Sequence, residues 1–142
     1  MASLNPRSIA ARPLLYMIES ESETITAMAL ELEKRNSAVA ELLFAELDRA
    51  ELLSPEAMPP ETVTMNCKVE FVDERSGVSR SVELVYPNDA DIEQSRISIL
   101  TPMGAGLIGM TAGESIAWPD RSGEERILTI VSVTPPAVTP IA

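Results

Sequence analysis

The sequence predicts an α+β fold: a short antiparallel helical hairpin, coiled-coil-like, followed by a mostly antiparallel β-sheet carrying one short helix. Three observations predict it. Apolar residues recur at helical spacing between residues 20 and 50, and the period drops to two from Val63 onward. The segment Ser54-Pro55-Glu56-Ala57-Met58-Pro59-Pro60 separates the two regimes. At 142 residues the chain holds one domain, or one small domain with an appendage, which excludes a large multidomain enzyme.

Residues 1–18 carry two prolines, two arginines and no sustained period, and are expected as a flexible arm. The hairpin is assigned to 19–54. Ser20 and Glu23 have the spacing of a capping box, and Ile25, Met28, Ala29 and Leu32 form one apolar stripe on a helix ending near Lys34. Glu31 and Glu33 lie on its wet side. After the turn Lys34-Arg35-Asn36-Ser37, in which Asn36 or Ser37 can cap, a second stripe runs through Val39, Leu42, Leu43, Leu47 and Ala50. Each arm is only roughly 20–25 Å long at 1.5 Å per residue. Residues 55–62 form a proline-rich joint.

The sheet region spans 63–134. Val63, Met65, Cys67, Val69 and Phe71 alternate with polar residues as a half-buried strand, with Cys67 inward. Arg75-Ser76-Gly77 turns the chain into Val82, Leu84 and Tyr86, giving an antiparallel pair. A polar loop with Asp89, Asp91 and Glu93 leads to a third strand, Arg96 to Leu100. Beyond Pro102, Met103 to Met110 reads as a short helix closed by Gly113. Glu114 to Trp118, the turn Arg121-Ser122-Gly123, and Arg126 to Val133 complete the set. Residues 135–142, with three prolines, read as a frayed tail.

Lys and Arg number 11 against 22 Asp and Glu, a net charge of −11, with 45% hydrophobic residues. The charge divides evenly: 5 basic and 10 acidic side chains in 1–60, then 6 and 12 in 61–142. Neither part is a basic nucleic-acid domain, so no direct sequence-specific nucleic-acid binding is expected. With no histidine and one cysteine, histidine acid/base catalysis, His/Cys zinc sites and an internal disulfide cannot be built. No apolar run approaches the ~20 residues of a membrane span, and Leu14 to Ile18 is too short for a signal peptide. A cytoplasmic protein without membrane contact is the expectation.

The constellations that could carry chemistry are weak. Gly104-Ala105-Gly106-Leu107-Ile108-Gly109 spells G-x-G-x-x-G, but the next strand begins at Glu114, which leaves no room for a Rossmann crossover. Small residues that let a short helix lie against the sheet explain it better. The acid pairs Asp73/Glu74, Asp89/Asp91 and Glu124/Glu125 sit at turns and read as solvated loops rather than metal ligands. Cys67 reads as a core residue, and Trp118 and Tyr86 as packing. No catalytic residue, metal, cofactor or small-molecule substrate is assigned. The stretch Ile99-Leu100-Thr101-Pro102-Met103-Gly104 reads either as core or as a binding turn, with Leu100 and Met103 beside its proline.

Ala45-Glu46-Leu47-Asp48-Arg49-Ala50, Ser54-Pro55-Glu56, Met58-Pro59 and Val63-Thr64-Met65-Asn66 resemble the Rnk family, regulators of nucleoside diphosphate kinase related to the GreA/GreB transcript cleavage factors. Leu84-Val85-Tyr86-Pro87, Pro102-x-Gly104-Ala105, Leu107-x-Gly109 and Gly113-Glu114-Ser115-Ile116 continue in family order, so the resemblance covers about 23–133. It implies a C-terminal domain of FKBP-like fold, docked on bacterial RNA polymerase at the entrance of the secondary channel. Leu100, Thr101, Pro102 and Met103 match the docking turn, with Leu100 where Gre factors carry an acid. Gre factors deliver acidic residues on a long coiled coil to the catalytic Mg²⁺. This hairpin is short and its tip, Lys34, Arg35 and Asn36, is basic, which implies a non-enzymatic regulator that competes with Gre factors without stimulating cleavage. Two alternatives stay open: a cleavage factor acting through Glu33 or Glu41, and a self-associating scaffold.

Overall fold

The computed structural model describes residues 15–119 and 124–136. The side chain of Trp118, the expected turn Arg121-Ser122-Gly123 and most of the expected tail lie outside the described residues.

The first element corrects the sequence reading. Leu15–Ile18, expected as the end of a loose arm, is a strand, β1, paired in parallel with β2, Ala50–Leu53. Leu15 and Met17 are fully buried, and the Tyr16 amide donates to the Gly109 carbonyl at 3.3 Å. Gly109 sits at φ +83°, and a Cβ there would lie 2.0 Å from Leu15 Cδ1, so only glycine allows the strand to approach this closely. Local periodicity cannot register such a pairing, because the partner strand lies beyond both helices.

Helix α1, Glu19–Leu32, follows β1 directly. Its N-cap is Ile18, which makes no side-chain cap, so the expected Ser20/Glu23 capping box does not form. Glu19 and Glu21 in the first turn instead place negative charge at the positive end of the helix dipole. Helix α2, Ser37–Arg49, is capped by Asn36, whose Oδ1 accepts from the Val39 amide at 3.3 Å. Ile25, Ala29 and Leu32 of α1 and Val39, Ala40 and Leu43 of α2 are buried. Leu42, expected in the second stripe, is 43% exposed, and Glu46 takes the inward position. The buried face runs through Ala40, Leu43 and Glu46 at i, i+3 and i+6, which turns Leu42 outward. Glu46 is held there by an ion pair with Arg49.

The other strands, β3 Lys68–Asp73, β4 Ser79–Val85, β5 Arg96–Ser98, β6 Ser115–Pro119 and β7 Glu125–Thr134, form one sheet in the order β5-β4-β3-β7-β6. All pairs are antiparallel except β4 with β5. Residues 63–67, expected as strand, are not. Asn66 adopts φ +70°, and the Thr64 carbonyl and hydroxyl engage Cys67, so the chain turns before β3 begins. The burial alternation nevertheless holds: Val63, Met65, Cys67, Val69 and Phe71 are all buried. Helix α3, Pro102–Leu107, packs against β5 and α2. One apolar cluster joins the pieces, including Ile25, Ala29 and Leu43 from the helices and Phe71, Leu84, Ile99, Leu107 and Ile130 from the sheet side.

The junction between helices and sheet is also polar. The Met65 amide donates to the Glu21 carboxylate at 3.1 Å. Burial pushes the Glu21 carboxyl above its ordinary value, against the effect of that amide. Burial, and then the Glu21 charge, push the Tyr86 phenol up as well.

Candidate functional site

Two exposed features answer to the sequence reading, a proline turn and a helical tip. At the turn, β5 ends at Ser98 and the chain reverses into α3. The Ser98 carbonyl accepts from both the Thr101 amide at 3.2 Å and the Thr101 hydroxyl at 2.7 Å, while Ser98 Oγ accepts from the Leu100 amide at 2.9 Å. Thr101 then caps α3, its hydroxyl oxygen accepting from the Gly104 amide at 3.1 Å. Pro102 occupies the first helical position, where its missing N–H leaves no orphan.

Gly104 fixes how close the turn can lie to the sheet. A Cβ there would fall 2.4 Å from the Ser98 carbonyl oxygen and 2.8 Å from Ile99 Cα. The glycine run thus serves close helix-to-strand packing, as expected, and α3 is only six residues long. Ile99 is fully buried, Leu100, Thr101 and Met103 are half-buried, and Pro102 is exposed. Leu100 and Met103 each put part of the side chain on the core and leave part outside. No charged residue occurs anywhere from Ile97 to Gly113, although 23% of the chain is charged. The turn therefore offers apolar surface inside an acidic protein, a signal already present in the sequence.

The tip differs in every respect. Glu33 to Asn36 are exposed and held only by local bonds: the Arg35 and Asn36 amides donate to the Leu32 carbonyl, each at 2.8 Å. Lys34 pairs with Glu31 at 3.2 Å with both side chains at least 70% exposed, which contributes little. Among the described residues Arg35 has no ion-pair partner. Glu33 and Glu41, the candidate acids of the alternative reading, are exposed, Glu33 at the C-cap of α1 and Glu41 one turn into α2.

The remaining chemistry is structural. Asp73 accepts from the Arg75 and Ser76 amides and pairs with Arg126. Partial desolvation works against its charge, but these donors win and hold the carboxyl below its ordinary value. Glu74 accepts from the Thr129 hydroxyl, Asp91 from the Glu93 amide, and Glu124 pairs with Arg75 at 2.7 Å. Among the described residues no group of three or more His, Cys, Asp or Glu could hold a metal, and no helix is long and apolar enough to cross a membrane. Cys67 is buried beside Thr64. Sequence reasoning missed Ile92, which stands 86% exposed in the loop read as polar.

The arrangement of the sheet and its preceding helices is shared with a solved prokaryotic transcription elongation factor. The profile described as "Transcription elongation factor, GreA/GreB, C-term" matches residues 58–135, and the chain belongs to that family. It is 36% identical over 108 residues to the regulator of nucleoside diphosphate kinase of Escherichia coli K12, covering 76% of this chain and 79% of that protein. The GreA of Acidiphilium cryptum is 30% identical over 93 residues, 66% of this chain and 57% of its own length. Among solved structures, a prokaryotic GreA/GreB elongation factor from Nitrosomonas europaea superposes with a TM-score of 0.70 at 36% identity, covering 87% of this chain and 99% of that one.

Proposed function

We propose that this protein is a cytoplasmic, non-catalytic regulator of transcription elongation that binds RNA polymerase at the entrance of the secondary channel. Its sheet domain, of FKBP-like arrangement, docks through Leu100, Thr101, Pro102 and Met103, and the two helices point inward as a hairpin. The observation that carries the reading is the combination of family membership with a short arm and a basic tip. Helix α1 has 14 residues, roughly 21 Å at 1.5 Å per residue, and the turn that follows it carries Lys34, Arg35 and Asn36. An arm of that length and charge occupies the channel mouth, where it excludes a Gre factor, yet brings no carboxylate to the catalytic metal.

The apolar character of the turn supports docking by side-chain burial. Covering Leu100 and Met103 removes apolar surface from water at ~25 cal/mol per Å². Copurification with the cognate polymerase tests the reading. The wild-type chain is expected to be retained and the double variant Pro102→Ala/Met103→Glu to be lost. Equal retention of both would overturn the assignment of the turn, and absence of any retention would overturn the partner.

A further inference from the structure

We infer that Ile92 is a second anchor for the polymerase, extending the contact from the proline turn along the β5 edge; this rests on the docking proposed above. Ile92 has the highest exposure of any large apolar side chain among the described residues, at 86%. A single exposed aliphatic residue is ordinary on a protein surface. What sets this one apart is how rigidly its backbone is presented and what surrounds it.

The loop around Ile92 is fixed on all sides. Asp91 and Arg96 exchange both backbone hydrogen bonds, at 3.0 and 2.9 Å, closing the segment at its base. Within it, Asp91 Oδ1 accepts from the Glu93 amide at 3.1 Å, and the Ile92 carbonyl accepts from the Ser95 amide at 3.0 Å. Ser95 takes a left-handed conformation, φ +59°, to complete the turn, and its carbonyl accepts from the Glu83 amide of β4 at 2.8 Å. A side chain presented this way loses little conformational freedom of its loop on binding.

The same bonds determine what kind of contact the β5 edge can make. An edge strand ordinarily offers unpaired N–H and C=O groups to an incoming strand. Here the Arg96 amide and carbonyl are taken by Asp91, and the Ser98 carbonyl is taken twice by Thr101. Strand addition is blocked by the chain's own turns, so a partner meets side chains: Ile92 at one end of β5, Leu100 and Met103 at the other. Arg96 and Leu100 are four residues apart, about 14 Å at most. A partner footprint of about 800 Å² is wide enough to span that length of chain.

The charges around Ile92 name the chemistry of its socket. Asp89, Asp91 and Glu93 are exposed within four residues of one another, and no basic residue lies between Pro87 and Ser95. Arg96, next along the chain, is engaged by Glu83 at 3.6 Å. The complementary surface on the polymerase is an apolar socket rimmed by Lys or Arg.

The test measures affinity of the full-length chain for the cognate polymerase, with thermal melts of every variant. Ile92→Ser is expected to leave the melting temperature unchanged and to weaken binding about tenfold or more, the value of burying one aliphatic side chain. Ile92→Leu is expected to bind as wild type. Should Ile92→Ser bind as wild type while Met103→Glu fails, Ile92 is not an anchor and the docking turn stands. If wild type itself does not bind, the docking proposal falls and takes this one with it. A fall in melting temperature for Ile92→Ser would show that Ile92 holds its own loop together, and would also overturn the inference.

Discussion

The proline turn and the helical tip are both turns between two elements, both carry residues singled out in the sequence, and they are built in opposite ways. At the turn, Ser98 and Thr101 engage four backbone amides and a hydroxyl, Gly104 lies on a carbonyl where no Cβ fits, and Ile99 is sealed in the core. At the tip, four exposed residues rest on local helix-end bonds, one side-chain cap and one exposed ion pair. The difference teaches that shape is stored at the turn and charge is displayed at the tip. A turn held this tightly suits a docking contact whose geometry must not vary, while a tip held loosely suits a role set by its length and sign.

The largest effect that can sharpen this contrast is at Gly104. Gly104→Ala forces a methyl into the Ser98 carbonyl, and a loss of about 2–3 kcal/mol is expected, roughly 10 °C in the melting curve. Binding to polymerase should fall with it. Met103→Glu is expected to lower stability by only about 1 kcal/mol, since Met103 is half-buried, but to weaken polymerase binding by tenfold or more. The tip should behave otherwise: Lys34→Glu/Arg35→Glu is expected to change stability by under about 0.5 kcal/mol and binding by under about threefold. It should also confer no transcript cleavage, because the arm stays short. Gain of cleavage by that variant would break the argument from reach.

The smallest effects separate the two sides of the molecule by pH. Asp73, on the sheet side, has its carboxyl held below the ordinary 3.8, so it contributes stability above that value which is lost as pH falls through its folded one. Asp73→Asn should therefore lower the melting temperature at pH 7, with the difference closing in acid. Glu21, at the helix junction, has the opposite sign. Its carboxyl is raised above 4.5, the folded chain holds that proton more tightly, and stability declines as pH rises from 4.5 through the folded value. Glu21→Gln, which can still accept from the Met65 amide, should melt at the same or a higher temperature at pH 7 and show no advantage below pH 4.

How much of this was legible in the sequence follows the range of the interactions concerned. The first helix stripe, most of the second apart from Leu42, the inward alternation of Val63 to Phe71 and the Arg75-Ser76-Gly77 turn are local patterns and could be read directly. The antiparallel register Val69 to Val82 follows from that turn. Strand β1 could not be read, because its partner β2 and its contact at Gly109 are distant in sequence. The parallel pairing of β5 with β4 was missed because the loop from Pro87 to Ser95 carries the chain across before returning it, and periodicity does not record direction. At the proline turn, Pro102 at the start of a short helix was legible from turn chemistry, whereas a docking role for Leu100 to Met103 came only from the family resemblance. Close packing of the Gly104 run on the sheet was legible as well, although its particular contact, the Ser98 carbonyl six residues back, is set only by the folded chain. Ile92 had a signal, one aliphatic residue among acids, but only its exposure gives that signal weight.

Under the proposed function, the chain competes with Gre factors and does not imitate them. The most direct measurement adds it to stalled elongation complexes of the cognate polymerase, alone and together with a Gre factor, and reads transcript length. No shortening is expected with the protein alone, and a dose-dependent loss of Gre-stimulated shortening is expected when both are present. Shortening by the protein alone, or Gre activity that is indifferent to saturating amounts of it, would contradict the account.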